Sequence, residues 1–429
     1  MKTLDTSKTR LDFDFTSIHP EARFNMIFQQ TLRIPDDAAT YALPPSLGNF
    51  PLRKVGEFPK VPEAWKKRGG IMMPVHSAEA MWMSFGRQSY PFAVKVSAGK
   101  RSAVTGAEWT DGLSKSDYLV CPPQPWLDGF CTEEGKIRQF VAAALGAGLS
   151  VEKQLSGEET HGGIQIEVFP MKRSEYEKRW GCTLEKLTEL RTRLKEAGAK
   201  PKPSQEECES AIRQYRGDVN RAFFKFKHLT KEYRDQARAP RRRTGMGVNS
   251  GDLQTRGINL SSEVKTSGQV ISADAGAATM DFGMATMDCC MMMDQQVQER
   301  SVQPDMAMAA GGQMEQKIHE DPYGLEVWDT ENSERVFVHL VNSGAWESLT
   351  GESPPATPAT AACYKSHGYQ WYLDKTPGPA LGATPAMQGI QSGQQVAVAK
   401  GTPFLPENES FGIQNGELVY TNSVKDGSW

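Results

Sequence analysis

The sequence predicts an α+β fold in which a β-rich, mostly antiparallel body is interrupted by a small three-helix bundle and a disordered insertion. Short apolar runs separated by Gly and Pro occur on both sides of a central region, a pattern typical of antiparallel sheets. Between them, three segments repeat apolar residues at helical spacing, and a Gly-, Ser- and Met-rich stretch follows. Only 38% of the 429 residues are hydrophobic, a low share for a chain that folds throughout.

The first half of the β-rich body is expected over 46–171, after a polar N-terminal arm over 1–45 whose phenylalanines are candidate docking points. In the run 92–96, Phe92, Val94 and Val96 recur at every second position with Lys95 between the last two, and 164–169 also alternates. Because side chains of a strand point to opposite faces in turn, both runs predict strands, and 92–96 is expected to be half-buried.

The helical bundle is expected over 172–232, where the starts of three helices are marked by capping residues. Thr183 is placed to cap the first helix, and Ser204 with Glu207 forms a capping-box pattern for the second. Asp218 is placed to cap the third. Apolar residues follow each cap at helical spacing, so each helix has one apolar face for a shared core.

The chain after the bundle divides into three parts. We expect a disordered linker over 233–312, because few aromatic residues leave little apolar surface to offset the entropy of ordering. The second half of the body is expected over 313–375, where strand-like runs return. An extended C-terminal tail is expected over 376–429.

Composition excludes several classes of protein. The net charge of −3 argues against a globally basic nucleic-acid binder. The seven cysteines include no CxxC pair, so we expect no structural metal, and no motif indicates a cofactor. No apolar run is long enough to span a bilayer and the N-terminus lacks a signal sequence. We therefore expect a soluble cytoplasmic protein, with the nucleus as the alternative because 241–243 is an arginine triplet that can act in import.

Three residues of the body are candidates for a site. Trp126 and Asp128 lie in a Pro- and Gly-rich loop, and His161 follows two glutamates just before a predicted strand. A carboxylate and an imidazole can exchange protons with a substrate, and an indole can form one wall of a pocket. The alternative to a site is a solvated turn for His161 and core packing for Trp126.

The segment 183–229 resembles a ubiquitin-associated (UBA-like) domain. The resemblance lies in residues 207–226, and its most specific part is the junction Gly217-Asp-Val-Asn before the third helix. It implies a three-helix fold and a ubiquitin-like partner. The family's first loop carries a Met-Gly-Phe-type sequence that contacts ubiquitin, whereas here 197–203 reads Ala-Gly-Ala-Lys-Pro-Lys-Pro. The candidate binding residues of this module are the apolar positions of its third helix, Val219, Phe223 and Phe226.

The body is similar to an uncharacterised group of bacterial and fungal proteins. The similarity lies in the stretches 91–100, 124–130, 163–166, 320–329 and 337–340. They lie on both sides of the insertion, which implies that the two halves form one folded unit. The resemblance implies no activity.

Two functions are compatible with these features. The first is a non-enzymatic binding or assembly protein that presents the UBA-like module on the β-rich body, with a protein partner or self-association into a homo-oligomer. The alternative is an enzyme of unrecognised class with its site near Asp128, His161 and Trp126. Nucleic acid is an expected partner only for the basic stretch from Arg221 to Arg243, which holds nine Lys and Arg against two acidic residues.

Overall fold

A computed structural model describes residues 1–238, 304–356, 371–374, 377–402, 411–414 and 417–420. The chain divides into two compact units: a sheet unit formed by Met1–Arg173 and Asp281–Trp429, and a helical unit formed by Ser174–Met280. The expected α+β class with a β-rich, mostly antiparallel body is confirmed.

The strands and helices are numbered here in chain order. The strands are β1 (Lys2–Leu4), β2 (Arg10–Asp14), β3 (Arg23–Thr31), β4 (Thr40–Tyr41), β5 (Ser46–Asn49), β6 (Arg53–Lys54), β7 (Ile71–Val75), β8 (Ala80–Phe85), β9 (Phe92–Ala98), β10 (Arg101–Ser102), β11 (Leu119–Cys121), β12 (Trp126–Leu127), β13 (Gly129–Glu133), β14 (Lys136–Ala144), β15 (Ile164–Pro170), β16 (Asp305–Glu315), β17 (Glu334–Asn342), β18 (Phe411–Gln414) and β19 (Glu417–Tyr420). The α-helices are α1 (Glu63–Arg68), α2 (Val151–Ser156), α3 (Arg173–Trp180), α4 (Leu184–Glu196), α5 (Gln205–Gln214), α6 (Val219–Lys225), α7 (Lys231–Arg238), α8 (Ser343–Thr350), α9 (Pro385–Gln388) and α10 (Gly393–Ala399). Among these helices of the described chain, none is both long and apolar enough to cross a membrane.

One antiparallel ladder runs through the sheet unit in the order β3, β8, β14, β16, β17, β15, β9. Strands β2 and β1 extend it beyond β3, and β10 and β11 pair with the other end at β9. Two short pairings are parallel, β4 with β16 and β7 with β17. The two ladder strands that follow the insertion, β16 and β17, therefore lie between strands that precede it.

The core of the sheet unit forms where β2 and β3 approach β9. The ring centroid of Phe92 on β9 lies 5.3 Å from that of Phe24 on β3 and 5.7 Å from that of Phe15. All three rings are buried. Because rings at these distances contact directly, the two ends of the ladder pack face to face rather than forming an open sheet.

Strand β9 corrects one expectation. The run 92–96 was expected to be half-buried, yet every residue of β9 is buried and Lys95 is only 1% exposed. The Lys95 ammonium forms an ion pair with Asp117 at 2.7 Å and donates to the carbonyls of Thr110 and Gly112 at 2.8 and 2.9 Å. The loop between β10 and β11 thus covers the face that alternation assigns to solvent.

The N-terminal arm predicted over 1–45 is wrong. This segment contributes β1 to β4 to the sheet, and Phe13, Phe24 and Phe28 are fully buried rather than available for docking. The residues of β3 alternate between buried and partly exposed, as expected for a strand with one face on the core. Phe24, Met26 and Phe28 already recur at every second position, so the period-two pattern was present in the sequence.

The linker predicted over 233–312 is wrong at both ends, and 239–303 lies outside the described residues. The helix α7 continues to Arg238, and the central strand β16 begins at Asp305. Ala, Gly and Met have little strand propensity, which is why 305–312 resembles a linker. In the fold these small residues permit close strand packing: a Cβ added to Gly312 would lie 2.2 Å from the Pro35 carbonyl oxygen.

The extended tail predicted over 376–429 is wrong for its first part. Two short helices, α9 and α10, form there, and each begins at a capping side chain. Ser392 accepts from the Gln395 amide, and the Gln395 side chain returns a bond to the Ser392 amide. Ser392 also hydrogen-bonds to Asp36, so α10 is fastened to the N-terminal region of the sheet unit.

The helical unit contains the three capped helices that the sequence predicts. The side chains of Thr183, Ser204 and Asp218 accept from backbone amides at the starts of α4, α5 and α6, and Ser204 and Glu207 form the expected capping box. The core between these helices is apolar and fully formed. Its buried residues are Leu187, Leu190, Leu194, Ala199, Cys208, Ala211, Ile212, Val219, Ala222 and Phe226.

Candidate functional site

Asp128 follows β12 and is bound to Gln316 by two reciprocal hydrogen bonds. The Asp128 amide donates to Gln316 Oε1 at 3.0 Å, and Gln316 Nε2 donates to Asp128 Oδ2 at 2.8 Å. Both side chains are buried. Burial raises the pKa of the Asp128 carboxyl to about 7, even though the bond from Gln316 favours the ionised form.

A chain of amide hydrogen bonds extends this pair. Gln124 Nε2 donates to the Trp126 and Lys317 carbonyls at 3.0 and 3.1 Å, and the His319 amide donates to Gln124 Oε1 at 3.0 Å. Burial lowers the pKa of the His319 imidazole. Trp126 takes part through its backbone, while its indole is partly exposed. The network connects β12 to the segment after β16. Its role is therefore to stabilise the fold.

His161 lies in a different constellation, on the loop before β15. His161 Nδ1 is 2.9 Å from Glu152 Oε1, and the same carboxylate accepts from the amides of Thr160, His161 and Gly162. Burial raises the pKa of Glu152, but these hydrogen bonds outweigh it and hold the pKa below its usual value. Glu152 therefore anchors the loop as a buried carboxylate.

Asp128 and His161 belong to separate hydrogen-bonding groups in the described chain. Asp128 contacts Gln316, and His161 contacts Glu152 and Thr160, so within the described chain the two residues share no partner. Over the same residues, no group of three His, Cys, Asp or Glu side chains is placed to hold a metal ion. The enzyme hypothesis for this location therefore gains no support from geometry.

The predicted residues of the helical unit lie mostly in its core. Val219 and Phe226 are buried between the helices, and Phe223 is partly buried beneath the Arg193 guanidinium, whose carbon lies 4.9 Å from the ring centroid. Their roles in binding stay predictions. The neighbouring Phe224, which sequence reasoning passed over, is 68% exposed.

A groove of about 420 Å³ lies between α4 and the start of α5 and is called the α4–α5 groove below. Its apolar lining includes Leu187, Leu194, Ala199 and Cys208, which also belong to the core of the unit. Leu184 lies at its open end and is 80% exposed. The groove is therefore an opening onto the core, with polar and charged side chains around its apolar floor.

The segment between α4 and α5 keeps this groove open. Gly198 has a φ of +62°, which favours glycine, and its amide bonds back to the Lys195 carbonyl at the end of α4. Pro201 and Pro203 follow and cannot continue the helix because they lack an amide hydrogen. The chain is thus carried away from α4 before Ser204 begins α5.

Three cations surround the groove. The residues Arg191, Lys195 and Lys202 line it, and all three are exposed. Within the described chain none of them forms an ion pair. The first two are four residues apart on α4 and so lie on the same face, about one helical turn apart. The groove therefore combines an apolar floor with uncompensated positive charge.

The comparisons with known proteins add no identity. No protein-family model, no curated protein and no solved structure matches this chain. The resemblances noted from the sequence stay predictions.

Sequence reasoning missed Gln124, Gln316 and the groove cations. The two glutamines carry no motif, and only the fold brings residues almost two hundred positions apart into contact. A signal for Arg191 and Lys195 was present in their spacing of four on a predicted helix, next to the apolar stripe. The sequence could not show that Lys202 joins Arg191 and Lys195 around a groove, because the groove exists only in the folded helical unit.

Proposed function

We propose that this chain is a non-enzymatic binding or assembly protein and that its helical unit holds a protein partner in the α4–α5 groove. The observation that supports this most strongly is the groove itself, an opening of about 420 Å³ onto the apolar core. Around it lie three cations that form no ion pair among the residues that the structure describes. The sheet unit then acts as the body on which this module is presented.

The floor of the groove favours an apolar side chain of the partner. Leu187 and Leu194 are buried, while Leu184 remains exposed at the open end. Covering exposed apolar surface contributes about 25 cal/mol per Å², so one inserted leucine or phenylalanine supplies a large share of a weak interaction.

The rim favours an acidic partner. The described part of the helical unit, 174–238, contains sixteen Lys and Arg against eleven Asp and Glu, although the whole chain is net negative. Arg191, Lys195 and Lys202 surround the groove without ion-pair partners in the described chain. Opposite charges steer association and set orientation. The proposed partner is therefore an acidic amphipathic segment, with one or two large apolar residues flanked by Asp or Glu.

A folded ubiquitin-like partner is the alternative that the UBA-like resemblance implies. The loop that would contact it, 197–203, contains Ala, Gly, Lys and Pro, and lacks the Met and Phe of the family pattern. The groove therefore favours a partner that inserts one side chain beside this loop over a folded ubiquitin-like protein that makes a flat contact across it.

Selection of short random peptides on the full-length protein tests the proposal. We expect the recovered peptides to be acidic and amphipathic, and their affinity is then measured by fluorescence anisotropy. The triple variant Arg191→Glu, Lys195→Glu and Lys202→Glu, or the single variant Leu184→Asp, should weaken binding at least about tenfold.

The matched control is Arg213→Glu, an exposed arginine of α5 that does not line the groove. It should leave the affinity unchanged. Equal binding by the control and the triple variant, or recovery of peptides with no acidic residues, would contradict the proposal. Binding of free ubiquitin in place of acidic peptides would favour the alternative.

A further inference from the structure

The outer face of α6 carries an exposed aromatic ring among cations. Phe224 is 68% exposed, and the Lys227 ammonium lies 5.1 Å from the centroid of its ring. Arg221 and Lys225 precede and follow Phe224 on the same helix, and both are exposed. This face, defined by Arg221, Phe224, Lys225 and Lys227, is called the α6 face below.

The chain around this face contains no acid. From Val219 to Lys231 there are four Lys and Arg and no Asp or Glu. The acids that bound the stretch are Asp218 and Glu232. The Asp218 carboxylate caps α6 by accepting the Arg221 amide, and it also lies 3.5 Å from the Arg221 guanidinium. Lys225 and Lys227 form no ion pair within the described chain, so the α6 face keeps a net positive charge.

The α6 face is separate from the α4–α5 groove. Arg193 of α4 donates to Asn220 at 2.8 Å and lies over the ring of Phe223, so α6 packs on the Arg193 side of α4. The groove lies on the side of α4 that carries Leu184, Arg191 and Lys195. An occupant of one surface does not occupy the other.

From these observations we infer that the α6 face binds single-stranded nucleic acid, with a base stacked on Phe224 and phosphates beside Arg221, Lys225 and Lys227. An exposed aromatic ring offers a surface to any base, and neighbouring cations replace the counterions of the phosphates. Charge complementarity also favours the α6 face as the place where a nucleic acid binds, because the rest of the chain is net negative and would repel a polyanion.

The composition of the face favours a single strand over an anionic membrane. Among the described residues of α6, Phe224 is the only large apolar side chain that is strongly exposed. Stable binding of a helix to a bilayer surface requires a continuous apolar face, whereas stacking requires one ring.

Binding of labelled oligouridylate and oligothymidylate of about 20 nucleotides to the full-length protein tests this inference by anisotropy. We expect Phe224→Ala and Phe224→Leu to weaken binding about tenfold each, because leucine keeps the apolar surface but lacks a ring, and Phe224→Trp to retain binding. Phe224 is largely exposed, so these variants should fold, which circular dichroism verifies.

The cations are tested by salt dependence. The affinity falls as salt rises, and Lys227→Gln should make the slope of log affinity against log salt less steep by about one. The exposed control Lys67→Gln on α1 should not change this slope. The arginines at 241–243 are present in every variant, so their contribution cancels.

Three results would overturn the inference. The first is no binding of either oligonucleotide by the wild-type protein at low salt. The second is unchanged binding by Phe224→Leu, which would show that the ring is not stacked. The third is binding to vesicles rich in phosphatidylserine without binding to oligonucleotides, which would identify a membrane surface instead.

Discussion

Asp128 and Gln316 exchange two hydrogen bonds inside the sheet unit, although they lie on opposite sides of the insertion. The Asp128 amide donates to the glutamine oxygen at 3.0 Å, and the glutamine nitrogen donates to the Asp128 carboxyl at 2.8 Å. The carboxyl is buried, and burial raises its pKa to about 7. The two halves of the chain are thus joined by a pair whose charge depends on pH.

This pair makes the stability of the sheet unit depend on pH. Because the folded pKa of Asp128 exceeds the ordinary value of 3.8, the folded state holds this proton more tightly than the unfolded state. The stabilisation that the protonated Asp128 carboxyl gives to the folded state is therefore fully present below about pH 4 and is lost as pH rises towards 7. Asp128→Asn keeps a neutral acceptor for Gln316 and carries no charge at either pH. We therefore expect the free energy of unfolding of this variant, relative to that of the wild-type protein, to be higher at pH 8 than at pH 5 by about 2–4 kcal/mol.

Urea unfolding at the two pH values measures this effect. The exposed aspartate of α7, Asp235, supplies the matched control Asp235→Asn, which should change stability equally at both pH values. A pH dependence of Asp128→Asn identical to that of the wild-type protein would show that the carboxyl stays ionised in the fold.

Glu152 should contribute stability in the opposite pH range. Its pKa is lowered on balance, because hydrogen bonds from Gly162, His161 and Thr160 outweigh burial. Its stabilisation is thus present above pH 4.5 and is lost as pH falls through the folded pKa. Glu152→Gln should destabilise the sheet unit by about 2–3 kcal/mol at pH 7, since amides that face a carboxylate lose a charged acceptor.

Thermal unfolding at pH 7 measures that loss. The nearby Glu158→Gln, an exposed residue, is the control and should have almost no effect. If the two variants unfold at the same temperature, Glu152 is not the anchor of the 160–162 loop.

The buried Lys95–Asp117 pair predicts strong coupling between two substitutions. Removing one partner leaves a buried charge uncompensated, so Lys95→Met or Asp117→Leu should each cost about 3–5 kcal/mol. The double variant Lys95→Met with Asp117→Leu should recover part of that loss, because no charge remains. Strictly additive costs in urea unfolding would mean that the pair is not coupled.

Two deletions distinguish the observed boundaries from those expected from sequence. Removal of 174–303 with a flexible bridge should leave a cooperatively folded sheet unit, because every strand of the ladder remains. Removal of 172–312 should abolish folding, because it takes most of the central strand β16. Equal folding of both products in near-ultraviolet circular dichroism would show that β16 is dispensable.

Local signals in the sequence were sufficient for the fold class and for the helical unit. Thr183, Ser204 and Asp218 act only on residues three positions away, so their capping roles are visible without tertiary structure. Strand β16 shows the opposite case. Its Ala, Gly and Met residues gain their role from β14 and β17 on either side, which no local pattern reveals.

The candidate surfaces follow the same division. The cations of the α4–α5 groove were visible as charged residues, but their lack of ion-pair partners in the described chain depends on side-chain placement. Val219 and Phe226 show why an apolar position is a poor predictor of binding, since the packing of α6 on α4 and α5 buries them. Exposure of Phe224, one position from Phe223, was decided by the rotation of α6 about its axis.

Chemical-shift mapping of the helical unit, residues 174–238, tests the central claim most directly. Titration with an acidic amphipathic peptide should shift the amide signals of Leu184, Arg191, Lys195 and Lys202 and leave those of Phe224 and Lys227 unchanged. Shifts confined to α6, or none at peptide concentrations that saturate the full-length protein, would contradict the assignment of partner binding to the α4–α5 groove.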